Sequence, residues 1–305
     1  MSAAWVAGAI RAHGIARRRV GRAGARSLAA CGDLEAALTG LANGPYGRYV
    51  HAGQTVAQAQ RGVAATLLWH GRVLAGWVPP GGAQELRALA GWFEIANIDG
   101  LLDTFSGVAA APPFRLGSLA TAWPRLDGSR TRAELRQRLA ATPWGDPGGE
   151  DDRSISMALR LRWAGRVRAG APGARRWASG AVALLLAREV AAGRGVDAAP
   201  SLLMRAVGAD VQSAATIDDL AARLPADARS ALGSARTLDE LVAAEAAWWA
   251  RLESDAEAVS RTASLDAPQV VATVALLAVD AWRVRAALAL AARGGSPLEA
   301  YDALV

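Results

Sequence analysis

The chain has 305 residues, of which 52% are hydrophobic and only 20% are charged, so it is long enough and apolar enough to build a sizeable core. All 34 basic residues are arginine, because the sequence has no lysine, and the net charge is +6. An excess of Arg, Ala and Gly is also the usage of a GC-rich genome, so this charge does not by itself identify a nucleic-acid binder. The single cysteine, Cys31, excludes an internal disulfide framework and any cysteine-based zinc site.

The N-terminal region contains one segment that resembles an export signal. Leu28-Ala29-Ala30-Cys31 is similar to a lipid-attachment box, but Arg22 and Arg26 interrupt the apolar stretch that such a signal needs. The best apolar run, Val270 to Val279, is far shorter than the roughly 18 to 20 residues of a membrane-spanning helix. We therefore expect a protein that can touch a membrane complex without crossing the bilayer.

The hydrophobic pattern predicts an all-α fold. Apolar residues recur at helical spacing along most of the chain, as in Leu238, Val242, Ala246, Trp249 and Leu252. The only alternating segment, Leu159 to Trp163, is too short and too isolated to anchor a sheet. Three long apolar helices, each closed by a glycine, are predicted at Glu94–Gly107, Trp177–Gly193 and Asp280–Gly294.

Helix starts recur along the chain and predict an internal repeat. Thr131 and Thr216 each open a capping-box pattern, with an acid three residues later, and Asp33 lies 98 residues before Thr131 (131 − 33). The turns Pro45-Tyr46-Gly47 and Pro143-Trp144-Gly145 match at the same offset. With Pro112-Pro113 and Gly208 lying between the units, we expect three similar helical subdomains, at residues 1–115, 116–208 and 209–305.

No motif for catalysis, metal binding or cofactor binding is recognisable. The P-loop lysine is missing, and His13, His51 and His70 are scattered without metal-ligand spacing. Arginine clusters remain at 17–19, at 160–168 and at 283–285, and together with eleven tryptophans they keep nucleic-acid binding open. However, Trp248, Trp249 and Trp282 lie on apolar helical faces, where large aromatic residues usually form core.

Several segments resemble one known family, the C-type central-stalk subunits of prokaryotic V-type (A-type) rotary ATPases, whose eukaryotic counterparts are the d-type subunits. The segments are the opening helix Trp5–Arg19, the Pro45-Tyr46-Gly47 turn, Glu94-Ile-Ala-Asn97-Ile98 followed by Leu101-Leu102, and Asp280-Ala-Trp282-Arg283-Val-Arg285. Two positions depart from the family pattern. Gly8-Ala9-Ile10 stands where the family commonly has Asn-Ala-Arg, and Asp103 stands where it usually has a basic residue.

The resemblance implies a non-catalytic funnel of three helical subdomains around a pseudo-threefold axis. Its mouth would receive the rotor shaft subunits D and F, and its base would sit on the membrane proteolipid ring, at the cytoplasmic face of the plasma membrane. It implies no cofactor, no metal and no small-molecule substrate, and it makes nucleic acid an unlikely partner. The matching motifs give the candidate partner-binding residues Arg11, Glu94, Asn97, Asp103, Arg283 and Arg285.

Two alternatives remain open from the sequence. Glu94 and Asn97 would, in the simpler interpretation, only satisfy local helix bonds. In the second alternative, the whole chain would be an arginine-rich all-helical scaffold or nucleic-acid-binding protein, and its affinity for DNA or RNA would fall steeply with salt.

Overall fold

The computed structural model describes residues 3–305, and within them it is all-α: 67% of the chain is helical and no strand occurs. The all-α prediction is confirmed, and the alternating segment Leu159–Trp163 lies inside a helix. The helices are α1 (Ala3–Ala16), α2 (Gly21–Ala29), α3 (Leu34–Ala42), α4 (Val56–Ala75), α5 (Pro80–Phe105), α6 (Trp123–Leu126), α7 (Arg132–Ala140), α8 (Asp152–Gly170), α9 (Arg175–Ala191), α10 (Pro200–Val207), α11 (Ile217–Arg223), α12 (Ala226–Arg229), α13 (Glu240–Ser260), α14 (Ala267–Ala291) and α15 (Leu298–Asp302).

The predicted N-caps start short helices. The side chain of Asp33 accepts from the amide of Ala36 at the start of α3, and Thr131 and Thr216 accept from Glu134 and Asp219 at the starts of α7 and α11. Each cap satisfies one of the amides that a first helical turn leaves without a backbone partner.

The predicted glycine stops are also present. Gly107, Gly193 and Gly294 adopt φ of +78°, +70° and +92°, a backbone region that residues with a Cβ rarely enter. They follow α5, α9 and α14, which therefore end close to the predicted positions. α5 and α14 begin much earlier than expected, at Pro80 and Ala267, because a proline in the first turn, Pro80 or Pro268, fits a helix start.

The order of helices recurs three times along the chain. A capped short helix is followed by a capped long helix and then by a second long helix: α3–α4–α5, α7–α8–α9, and α11 with α13 and α14. The caps of the first long helices are Thr55, Asp151 and Thr237. Each lies 20 to 22 residues after the preceding short-helix cap (33 to 55, 131 to 151, 216 to 237). The spacing between the two caps is therefore nearly constant in the three segments.

The chain divides into two compact units, and both divisions fall inside long helices, in α5 and in α13. The first unit comprises residues 1–82 and 246–305, and the second comprises residues 83–245. This division differs in number and boundaries from the three subdomains expected at 1–115, 116–208 and 209–305. The threefold subdomain arrangement therefore stays a prediction.

Each unit has its own hydrophobic core. In the first unit α14 packs against α1, α2, α3 and α4, and Leu38, Leu41 and Leu288 are fully or almost fully buried. In the second unit α8 packs against α9 and α10, while Ile98, Leu135 and Trp144 form the interior beside α5 and α7. In the part of the chain that the structure describes, no helix is long and apolar enough to span a bilayer.

Candidate functional site

Glu94, the first of the motif residues, is a fully buried carboxylate on α5. Its Oε1 accepts from the amides of Ala122, at 2.6 Å, and Trp123, and its Oε2 accepts from the amide of Thr121 at 3.1 Å and from the indole Nε1 of Trp144 at 3.2 Å. The three amides belong to the start of α6, where backbone N–H groups lack helical partners and the helix dipole favours a negative charge. Glu94 thus joins α5 to α6 and to the turn after α7.

Asn97 lies one turn further along α5 and makes a reciprocal pair of hydrogen bonds with the backbone of Phe114. Its Nδ2 donates to the carbonyl of Phe114 at 3.0 Å, and its Oδ1 accepts from the amide of Phe114 at 2.6 Å. The amide is buried, so these bonds fix the segment that leads from α5 to α6. The simpler interpretation assigned Glu94 and Asn97 only local bonds within their own helix. Their side chains instead bond to residues 17 to 50 positions further along the chain.

The first unit contains a matching arrangement around Asp280, a buried residue of α14. Its carboxylate accepts from the amides of Val20 at 3.1 Å and Gly21 at 2.7 Å, at the start of α2, and from the hydroxyl of Tyr46 at 2.9 Å. Burial, followed by the nearby charge of Asp280, raises the pKa of Tyr46 well above its usual value. The phenol therefore remains a donor to the carboxylate at neutral pH.

The two arrangements have the same plan. A carboxylate on a long helix accepts from the amides at the start of a short helix, which is α6 for Glu94 and α2 for Asp280. It also accepts from the polar group of an aromatic residue in the turn after the following short helix, which is Trp144 after α7 or Tyr46 after α3. These aromatics are the pair that the 98-residue offset matched in the sequence. Asp280 was not among the candidate residues. It could have been found by its position, because it opens the third predicted long helix as Glu94 opens the first.

The second recurrence, α7–α8–α9, does not repeat this plan. On α9 the buried acid is Glu189, and its carboxylate accepts from two guanidinium groups, Arg153 at 2.8 Å and Arg194 at 2.8 and 3.0 Å. These bonds, with that of Arg194 first, lower the pKa of Glu189. The segment after α9 is therefore held by the side chains of Arg153 and Arg194, whereas Glu94 and Asp280 bond to backbone amides at helix starts.

Arg283 is buried on α14 and forms a bidentate ion pair with Glu253 of α13. Its Nη2 donates to Oε2 of Glu253 at 2.6 Å and its Nη1 donates to Oε1, while its Nε, also buried, has no partner among the described residues. The guanidinium bonds lower the pKa of Glu253 although burial opposes them. This pair ties the last two long helices of the chain together.

The other three candidate residues are exposed. The guanidinium of Arg11 lies 5.1 Å above the ring of Trp77, beside the exposed Ile10. Asp103 lies in the last turn of α5, and Arg285 lies on α14, where its carbonyl accepts from the side-chain amide of Gln60. Three of the six candidates belong to each unit. Their roles as partner contacts stay predictions; the exposed residues are the ones whose side chains are available.

The arginine cluster of α8 makes contacts within its own unit. Arg160 pairs with Asp99 at 2.8 Å, and Arg168 lies 3.5 Å from the carboxylate of Asp227. Arg166 donates to the hydroxyl of Thr121 at 2.9 Å and lies over the ring of Trp144, and Arg162 donates to the carbonyl of Asp146. These side chains fix helix positions and do not form one free basic face.

Within residues 3–305, no group of three or more His, Cys, Asp or Glu side chains is placed to hold a metal ion. His13 and His51 are exposed, and His70 is partly buried in the first unit. Comparison with known proteins finds no match: no protein-family model and no curated protein matches the chain.

Proposed function

We propose that this protein is a non-catalytic central-stalk subunit of a V/A-type rotary ATPase, which couples the D/F shaft to the membrane proteolipid ring during ion transport. The observation that carries the proposal is the threefold recurrence of a capped short helix, a capped long helix and a second long helix, with cap spacings of 20 to 22 residues. Such a recurrence is what a funnel of three similar helical subdomains requires.

An adaptor that transmits rotation needs stiffness, because torque is lost wherever an element bends. Two buried carboxylates, Glu94 and Asp280, hold long helices to the starts of short helices, and the Arg283–Glu253 pair holds α13 to α14. Hydrogen-bonded buried polar groups such as the carboxylates of Glu94 and Asp280 rigidify a core and favour a single packing arrangement. We therefore assign Glu94, Asn97 and Arg283 the task of keeping the helices in register.

The exposed candidates are the better partner contacts under this proposal. An arginine such as Arg11 or Arg285 can make bidentate, charge-assisted bonds to carboxylates of a partner. Asp103, with the opposite charge, would accept a basic side chain. The exposed Trp77 beside Arg11 adds apolar area, and aromatic residues with arginine are enriched at protein interfaces.

Affinity purification from membranes of the source cells tests the proposal. The tagged wild-type chain should co-purify with the D and F subunits and the proteolipid ring from detergent-solubilised membranes, and the purified chain alone should hydrolyse no ATP. Reversing the charge of an exposed candidate, Arg11→Glu or Arg285→Glu, should reduce this recovery. Arg293→Glu, an equally exposed reversal just after α14, is the matched control and should not.

Recovery of the wild-type chain without any rotary-motor subunit would overturn the proposal. The nucleic-acid alternative is not pursued, because two of the clusters that suggested it are engaged: the α8 arginines are bonded within their own unit, and Arg283 is paired with Glu253. Salt-sensitive retention on DNA or RNA without rotary partners would revive it.

A further inference from the structure

The first unit contains a cavity of about 130 Å³ that the motif residues do not explain. It lies between the end of α1, the turn after α3, the middle of α4 and α14. The polar side chains that line it include Arg18, Arg19, Thr66, His70 and Asp280. A cavity needs roughly 10–15 Å³ of such space to hold one water, so this one has room for several waters or for a small polyatomic ion.

The basic side chains at this cavity lack acidic partners. Within the described chain, neither Arg18 nor Arg19 has a carboxylate within ion-pair distance, and the side chain of Arg19 donates one hydrogen bond, from Nε to the carbonyl of Ala16 at 2.9 Å. A further arginine, Arg48, lies 4.8 Å above the ring of Trp69, which also lines the cavity. The positive charge here is therefore not neutralised by a direct ion pair.

The one carboxylate at the cavity is already occupied. Both oxygens of Asp280 accept hydrogen bonds, from the amides of Val20 and Gly21 and from the Tyr46 hydroxyl. The lining therefore carries two positive charges, on Arg18 and Arg19, and one negative charge, on Asp280, which leaves an excess of one positive charge. A cation would meet this excess, whereas an anion would balance it.

His70 of α4 also lines this cavity. Its Nδ1 is buried and has no hydrogen-bond partner among the described residues, and an orphaned buried nitrogen is uncommon in a folded protein. Burial, helped by the charge of Arg18, lowers the pKa of His70 to about 4, so the ring is neutral at pH 7. A neutral imidazole retains one N–H that can donate to an oxygen atom.

We propose that this cavity binds a small oxyanion of the phosphate type, held by the guanidinium groups of Arg18 and Arg19 and by the ring of His70. Guanidinium forks match the oxygens of phosphate in bidentate geometry, and the cavity has room for an ion of this size. The same chemistry is present in inorganic phosphate and in the monoester headgroup of a phosphatidic acid. The site is independent of the rotor role and does not need it.

Histidine NMR of the full chain tests the site, because the sequence has only three histidines. At pH 7 and constant ionic strength, inorganic phosphate should shift the ring signal of His70 saturably, while the exposed His13 and His51 should not move. Loss of one signal in His70→Gln assigns the resonance. A uniform drift of all three signals, or no shift of His70 with either probe, would overturn the proposal.

Adjacent arginines provide matched variants. Arg18→Ala should weaken phosphate binding by at least about tenfold, the loss expected for a charge-assisted bond, whereas Arg17→Ala, an equal charge change outside the lining, should change it less than about twofold. Equal losses in both variants would contradict the site. A shift of His70 with short-chain phosphatidic acid but not with inorganic phosphate would identify a lipid headgroup as the source of the anion; a shift with inorganic phosphate would identify the free ion.

Discussion

At the residue scale, Glu94 is the side chain on which most local structure depends. Glu94→Gln should destabilise the protein by about 2–4 kcal/mol, because an amide nitrogen cannot accept and would oppose buried N–H donors at the start of α6. Urea denaturation followed by circular dichroism measures this change.

The matched control is Asp103→Asn, the same chemical change on an exposed acid of the same helix. It should alter the free energy of unfolding by less than about 0.5 kcal/mol. If Glu94→Gln were as mild as Asp103→Asn, the four hydrogen bonds of Glu94 would not hold α5 to α6 as described.

A second residue-scale prediction concerns pH and the Arg283–Glu253 pair. The folded pKa of Glu253 lies below its usual value of 4.5, so the pair's stabilisation is present above about pH 4.5 and is lost as the pH falls through the lower folded pKa. The difference in free energy of unfolding between wild type and Glu253→Gln should therefore shrink on acidification from pH 7 to pH 3. Thermal or urea unfolding at each pH measures it.

The control for this experiment removes the partner. In an Arg283→Met background, Glu253 has lost both guanidinium donors, and Glu253→Gln should then no longer show the same dependence on pH. An unchanged dependence in that background would mean that Arg283 is not the group that lowers the pKa of Glu253.

At the scale of elements, the three short-helix caps should behave alike. Asp33→Ala, Thr131→Ala and Thr216→Ala each remove one side-chain acceptor from a helix start, and each should cost about 1 kcal/mol of stability. Thr131→Ser and Thr216→Ser keep the acceptor and should cost much less. Denaturation of the five variants tests whether the recurring caps make equivalent contributions; a cap whose loss costs nothing would break the equivalence.

The sequence predicted helix type and helix ends well because these depend on local chemistry. The caps at Asp33, Thr131 and Thr216, and the glycines that close α5, α9 and α14, act on neighbouring backbone groups and are readable from short patterns. The predicted starts of α5 and α14 are too late, although Pro80 and Pro268, in the first turns of these helices, are local start signals.

Long-range pairing could not be predicted in the same way. The sequence singled out Glu94 and Arg283 by motif, but it gave no indication that Glu94 meets amides 27 to 29 residues away or that Arg283 meets Glu253. Charge spacing carries no information on which buried partner a long side chain will reach. The packing of the helices decides which partner is reached. The packing of α14 against α2, for example, brings Asp280 to the amide of Gly21.

At the scale of the whole molecule, the division into two units predicts how fragments fold. Residues 83–245 are one continuous stretch with their own core, within the roughly 50–250 residues typical of domains, so this fragment should be helical and should melt cooperatively. Residues 1–82 lack α14, against which α1 to α4 pack, and alone they should not fold. Co-expressed residues 246–305 should restore them, because α14 returns Val284 and Leu288 to that core and Asp280 to the start of α2. Circular dichroism and thermal melting of the three preparations decide the matter: cooperative melting of residues 1–82 alone, or an unfolded 83–245 fragment, would show that the two cores are not the cooperative units of this protein.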